Sequence, residues 1–112
     1  MRNVFNQQLE ILNKEMINMG ELCEQAITAA IEMAMDDAKP ELKQIVTDTD
    51  DQIDRKEREI EGICMKLLLT QQPIAKDLRV ISSALKMISD MERIGDQASD
   101  IMELSSYIKK AM

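Results

Sequence analysis

Histidine and tryptophan are absent from this chain of 112 residues, and Phe5 and Tyr107 are its only aromatic side chains. Without histidine the sequence lacks the commonest general base and the commonest zinc ligand. Without aromatics the core must be aliphatic, built from Leu, Ile, Met and Ala. The ten Met residues provide adaptable packing. Glycine occurs three times and proline twice, and no Gly-rich loop is available to cradle a nucleotide phosphate. There is no basic surplus either. Fourteen Lys and Arg against 21 Asp and Glu leave a net charge of −7, which argues against nucleic acid or an anionic membrane as partner. Long apolar runs are missing too. Met65 to Thr70 is the longest, and it contains Lys66, so no insertion into a bilayer is expected. The segment Met1-Arg2-Asn3-Val4-Phe5-Asn6 is polar and unlike a signal peptide, and the expected compartment is the cytoplasm. The two cysteines, Cys23 and Cys64, fall on apolar helix faces and read as buried free thiols. In a secreted protein they would instead be candidates for a disulfide.

What remains is helix. Pro40 and Pro73 stand where helices can begin, since proline is tolerated at the first helical position. The sequence around them is rich in helix formers and lacks strand-like alternation. From about Val4 to Met35, the residues Phe5, Leu9, Leu12, Met16, Met19, Cys23, Ala26, Ala30 and Met33 follow a three-four spacing. Gly20 interrupts it at a cost of about 1 kcal/mol relative to Ala, and Asp36 to Pro40 reads as a turn. From about Pro40 to Thr70, Val46, Ile53, Ile60 and Leu67 recur every seven residues, with Leu42, Ile63 and Cys64 broadening the face. The charged run Asp54 to Glu59 reads as a solvated face. From near Pro73 to about Lys110, the expected stripe is Ile74, Leu78, Ile81, Leu85 and Ile88, continued by Met91, Ile94, Ala98, Ile101 and Ile108. Three amphipathic helices of similar length joined by short turns predict an all-α, antiparallel three-helix bundle, running up-down-up, as one domain over residues 1–112.

Four acids are arranged unlike the rest. Asp50 and Asp54 are four apart in the second helix, and Glu92 and Asp96 are four apart in the third. Residues at that spacing share a helix face, where like charges repel slightly. Folding the two helices about Pro73 sets Asp54 level with Glu92, each 19 residues from the proline, and Asp50 level with Asp96, each 23 residues away. This register fixes height along the bundle and leaves rotation open. Clustered anions need protons or a cation to offset their repulsion. An oxygen-only donor set favours magnesium, calcium or manganese, with iron also admissible. Asp100 extends the ladder as a weaker candidate, and Asp48 is another. Acidic pairs also arise by chance in so acidic a chain. Two carboxylates can form a glycosidase-type acid–base pair, but no nucleophile, phosphate loop or binding aromatic accompanies these. The chain therefore reads as a non-enzyme.

Gln72-Pro73-Ile74-Ala75-Lys76-Asp77-Leu78-Arg79 resembles the QPxAxDLR turn of the PhoU family. Asp90-Met91-Glu92-Arg93-Ile94-Gly95-Asp96 resembles its ERxGD segment, and Asp50-Asp51-Gln52-Ile53-Asp54 its DxxxD piece. The resemblance implies three-helix bundles whose E/DxxxD motifs bind metal clusters in some members, here Asp50 with Asp54 and Glu92 with Asp96. The metal would be divalent or trivalent: iron, magnesium, manganese or zinc. It further implies a regulator of phosphate uptake that restrains phosphate-starvation signalling. Its partners would be the ATPase subunit of a phosphate ABC transporter and a membrane sensor histidine kinase. Family members usually carry two bundles in tandem. One bundle corresponds to the N-terminal half of such a protein, or to a unit that pairs with a second copy as a homodimer or other homo-oligomer. The alternative is a metal-free helical dimerisation or interaction module, for example a cytosolic domain associated with a sodium-phosphate cotransporter-like protein. Structural roles are also open to these motifs. Leu78 would pack in the core, Asp77 would favour the helix N-terminus through the dipole, and Gly95 would permit close helix approach. Arg79 would pair with Glu61 or Asp77, and Arg93 would orient the carboxylates or form a surface ion pair.

Overall fold

The computed structural model describes residues 2–35, 40–70 and 73–111. They form α1 (Arg2–Met35), α2 (Pro40–Thr70) and α3 (Ala75–Ala111), with no strand among them. The helices hold 34, 31 and 37 residues. At about 1.5 Å per residue they are all near 50 Å long, and the bundle measures 61 × 18 × 16 Å. Cross-helix contacts fix the directions. Glu15 on α1 meets Lys56 on α2, and Asp50 on α2 lies beside Gly95 on α3. Cys23 and Met33 on α1 meet Met91 and Lys109 on α3. Thus α2 runs against both neighbours, and α1 and α3 run together. None of the described helices is long and apolar enough to cross a membrane.

Helix starts follow local chemistry. α2 begins at Pro40, as the sequence predicts. α3 begins two residues beyond Pro73 because Ile74 serves as its cap. The Ile74 N–H donates to Asp77 Oδ2 at 3.1 Å, and the Leu78 N–H donates to the Ile74 carbonyl at 3.0 Å. An acid three residues inside a helix that reaches back to the cap N–H forms half of a capping box. This explains why Asp77 is only 3% exposed. The turn expected at residues 36–39 and Gln72 lie outside the described residues.

The predicted stripes of α1 and α2 hold. Phe5, Leu12, Met19, Cys23, Ala26, Ala30 and Met33 are buried, with Leu9 and Met16 packed against them. Val46, Ile53, Ile60 and Leu67 are buried, together with Leu42 and Cys64. On α3 the middle of the predicted stripe holds, with Ile81, Ile88 and Ala98 buried and Leu85, Met91 and Ile94 packed against the core, but its two ends do not. Ile74, Leu78, Ile101 and Ile108 are exposed, so Leu78 is not a core residue. The buried residues that the stripe did not include are Asp77, Ala84, Gly95 and Met102. Ala84 and Gly95 are small, so bulk hydrophobicity does not mark them as inward. Both cysteines are buried and free. The Cys23 thiol donates to the Met91 carbonyl at 3.3 Å, and burial pushes the pKa of both thiols up.

Candidate metal centre

The centre lies beside Gly95, whose missing side chain lets α3 pack tightly against Ile53 and Asp50 of α2. A Cβ at this position would sit 3.0 Å from Ile53 Cδ1 and 3.3 Å from Asp50 Oδ1. Ile53, fully buried, locks the rotation of α2 and turns Asp50 and Asp54 toward the seam beside it. On α3, Gly95 fixes the rotation that brings Asp96 to the same seam. Asp50, Asp54 and Asp96 each present a carboxylate oxygen, all within 4.8 Å of one another. Asp50 and Asp54 are half-buried and Asp96 is exposed, so the group opens to solvent on the α3 side.

Asp50 is the most constrained member. Its Oδ1 is buried and makes no hydrogen bond. Leaving a buried acceptor unmatched costs about 1–3 kcal/mol, more for a charged group. Burial, then the charges of Asp96 and Asp54, push its pKa up to about 6. Glu92 lies outside the group of three but hydrogen-bonds to Asp96. That bond, then burial and the charges of Asp96, Glu57 and Asp54, raise its pKa to about 7. Asp50 and Glu92 are thus both pushed toward their protonated forms by the same crowding of carboxylates.

Of the four expected acids, Asp50, Asp54 and Asp96 are brought to one patch, and Glu92 lies outside that group, near enough to feel the charges of Asp96 and Asp54. Of the weaker candidates, Asp48 is exposed and accepts a hydrogen bond from Gln44 Nε2 at 2.7 Å. Asp100 is exposed as well. Neither belongs to the group of three. Arg93 is exposed. The residue missed was Glu57. It is half-buried, and burial followed by the charges of Glu61, Asp54 and Asp96 raises its pKa. Its position three residues after Asp54 was the available signal, hidden within the charged run Asp54 to Glu59.

The donor chemistry fits a hard cation. Carboxylate oxygens from two helices converge, one of them is buried without a proton donor, and neither nitrogen nor sulfur is among them.

Comparison with known proteins places this geometry in context. The PhoU domain model matches residues 16–105. The phosphate-specific transport system accessory protein PhoU homolog of Pseudomonas aeruginosa is 42% identical over 97 residues, covering 87% of this chain and 40% of that protein. Its counterpart in Clostridium acetobutylicum is 38% identical over 101 residues, covering 89% and 46%. The accessory protein PhoU of Escherichia coli is 34% identical over 97 residues, covering 87% and 40%. The chain thus spans less than half the length of these relatives. No solved structure matches it. With the family model covering most of the bundle, including both carboxylate-bearing helices, the chain belongs to the PhoU family.

Proposed function

We propose that this chain is a non-enzymatic regulatory unit of phosphate uptake and phosphate-starvation signalling, and that a hard metal ion at the α2–α3 seam supports its folded form. The observation that carries the metal reading is the buried, unmatched Asp50 Oδ1 among facing carboxylates. Asp50, Asp54 and Asp96 would hold the ion, and Glu92 would join once ionised. A bound cation would neutralise the repulsion and tie α2 to α3. Iron, magnesium and manganese suit the donors better than zinc.

The regulatory reading rests on the relatives, which are named as accessory proteins of a phosphate-specific transport system. For this chain the partners proposed are the transporter's ATPase subunit and a sensor histidine kinase, met in the cytoplasm. Because the bundle matches less than half of each relative, it is proposed as one unit of a tandem arrangement, completed by a second bundle or by a second copy.

Thermal melts test the metal part. Added magnesium, manganese or ferrous iron should raise Tm over the chelator-treated chain, and alanine at both Glu92 and Asp96 should abolish the rise. No shift with any of these ions, or with zinc, sinks the metal reading. Loss of phosphate-dependent repression in cells carrying the chain as their only family member would sink the regulatory one. A second reading has its own support: the raised pKa values of Asp50 and Glu92 let protons relieve the cluster, as a metal-free interaction module requires. In that case sedimentation should show a stable oligomer in chelator.

A further inference from the structure

The groove between α1 and α3 is separate from the carboxylate seam. Leu12, Met16 and Ala84 line its floor, and Val80 and Met87 its outer wall, enclosing about 380 Å³. Val80 is 42% and Met87 52% exposed, so two seven-spaced apolar side chains stand uncovered along one edge. The charged residues lining it, among those described, are Lys76 and Arg79. This is a cationic groove on a molecule of net charge −7. The neighbouring α1–α2 groove is the opposite, lined by Glu21, Glu24 and Glu32.

We propose that the α1–α3 groove receives an amphipathic helix of a partner protein whose polar flank is acidic. Lys76 to Met87 is 12 residues of α3, a rise of about 17 Å, or three helical turns. A docked helix of that length places apolar residues at three-four spacing against Val80, Met87 and Met16, as helix-in-groove recognition does. Its carboxylates then meet Lys76 and Arg79 at one end. The two cations at one end of an otherwise uncharged groove set the docking direction, and the Glu-lined α1–α2 groove disfavours the same helix. Met16 and Met87 adapt to the shape of the incoming side chains. The proposal is independent of the metal centre, which occupies a different seam.

The test uses a fluorescent synthetic helix of about 18 residues, long enough to present three turns, with Leu at three-four spacing and Glu on the flanks. A scrambled peptide of the same composition is the control. Anisotropy with the full chain should show saturable binding of the amphipathic peptide, weakened by added salt, and none of the scrambled one. Lys76→Glu with Arg79→Glu should weaken binding about tenfold. Met87→Asp should weaken it at least as much. All these side chains are exposed, and unchanged circular dichroism would confirm that the variants fold. Four results overturn the proposal: no binding, equal binding of the scrambled peptide, indifference to the charge reversal, or a dimer in sedimentation that Met87→Asp dissolves. The last would make a second copy the occupant.

Discussion

At the scale of single residues, Gly95 and Asp50 decide what the seam can be. The structure separates the three glycines. A Cβ at Gly20 or Gly62 meets nothing within 4 Å, whereas one at Gly95 crowds Ile53 and Asp50. Gly20→Ala should therefore stabilise the chain by about 0.5–1 kcal/mol through helix propensity alone. Gly95→Ala gains the same propensity but presses on a fully buried isoleucine, where overpacking costs about 1–3 kcal/mol. Its net effect should be a loss of up to about 2 kcal/mol, read by urea unfolding beside Gly20→Ala. Asp50→Asn supplies a different outcome. The amide can donate to the neighbouring carboxylates and carries no charge, so in chelator at pH 8 the variant should be more stable by about 1 kcal/mol. It should also lose most of the metal-dependent rise in Tm. A variant that melts lower in chelator and keeps that rise would contradict both roles of Asp50. The sequence made these acids visible through spacing and register. It did not show which oxygen is buried without a partner, because that depends on how closely α3 approaches at Gly95.

At the scale of elements, the helices differ in how plainly their sequences mark them. α1 and α2 were legible because their inward positions, large or small, keep an unbroken three-four or seven-residue spacing. α3 was legible in its middle, where Ile81, Leu85, Ile88, Met91, Ile94 and Ala98 lie in or against the core, and misleading at its ends, where Ile74, Leu78, Ile101 and Ile108 point outward. Its small inward residues Ala84 and Gly95 gave no hydrophobic signal. The apolar surface left over includes Val80, which helps form the α1–α3 groove. The ends of α3 are fixed by polar contacts instead. Asp77 caps its start, and Lys109 Nζ donates to the Met33 carbonyl at 2.6 Å, placing a cation at the C-terminal turn of α1. Asp77→Ala removes the acceptor for the Ile74 N–H and should cost about 1 kcal/mol, within the range for helix caps. Asp77→Asn should recover most of that loss. Hydrogen exchange would place the loosening in the first turn of α3 and leave the amides around Ile88 unchanged.

At the scale of the whole molecule, the carboxylates of the proposed metal centre also take up protons, and this sets the pH response of the bundle. Asp50 and Glu92 have folded-state pKa values of about 6 and about 7, above the unfolded values of about 3.9 and 4.3. Between roughly pH 4 and 7 the folded chain holds more protons than the unfolded one, so stability falls as pH rises. The contribution is fully present below about pH 4 and is lost once both groups are ionised in the fold. Glu57, also raised, adds in the same direction. The proposed metal would reverse the trend, because it would bind the ionised carboxylates and displace their protons. Melts in chelator at pH 5, 6, 7 and 8 should give a falling Tm. The increment produced by manganese should be near zero at pH 5 and grow to pH 8. General self-repulsion in a chain of net charge −7 also lowers Tm with pH. Asp50→Asn separates the two effects, since it keeps nearly all of that repulsion. The variant should show a shallower decline in chelator and a manganese increment that stays small at every pH. A decline as steep as the parent's would assign the pH response to overall charge and remove Asp50 from it.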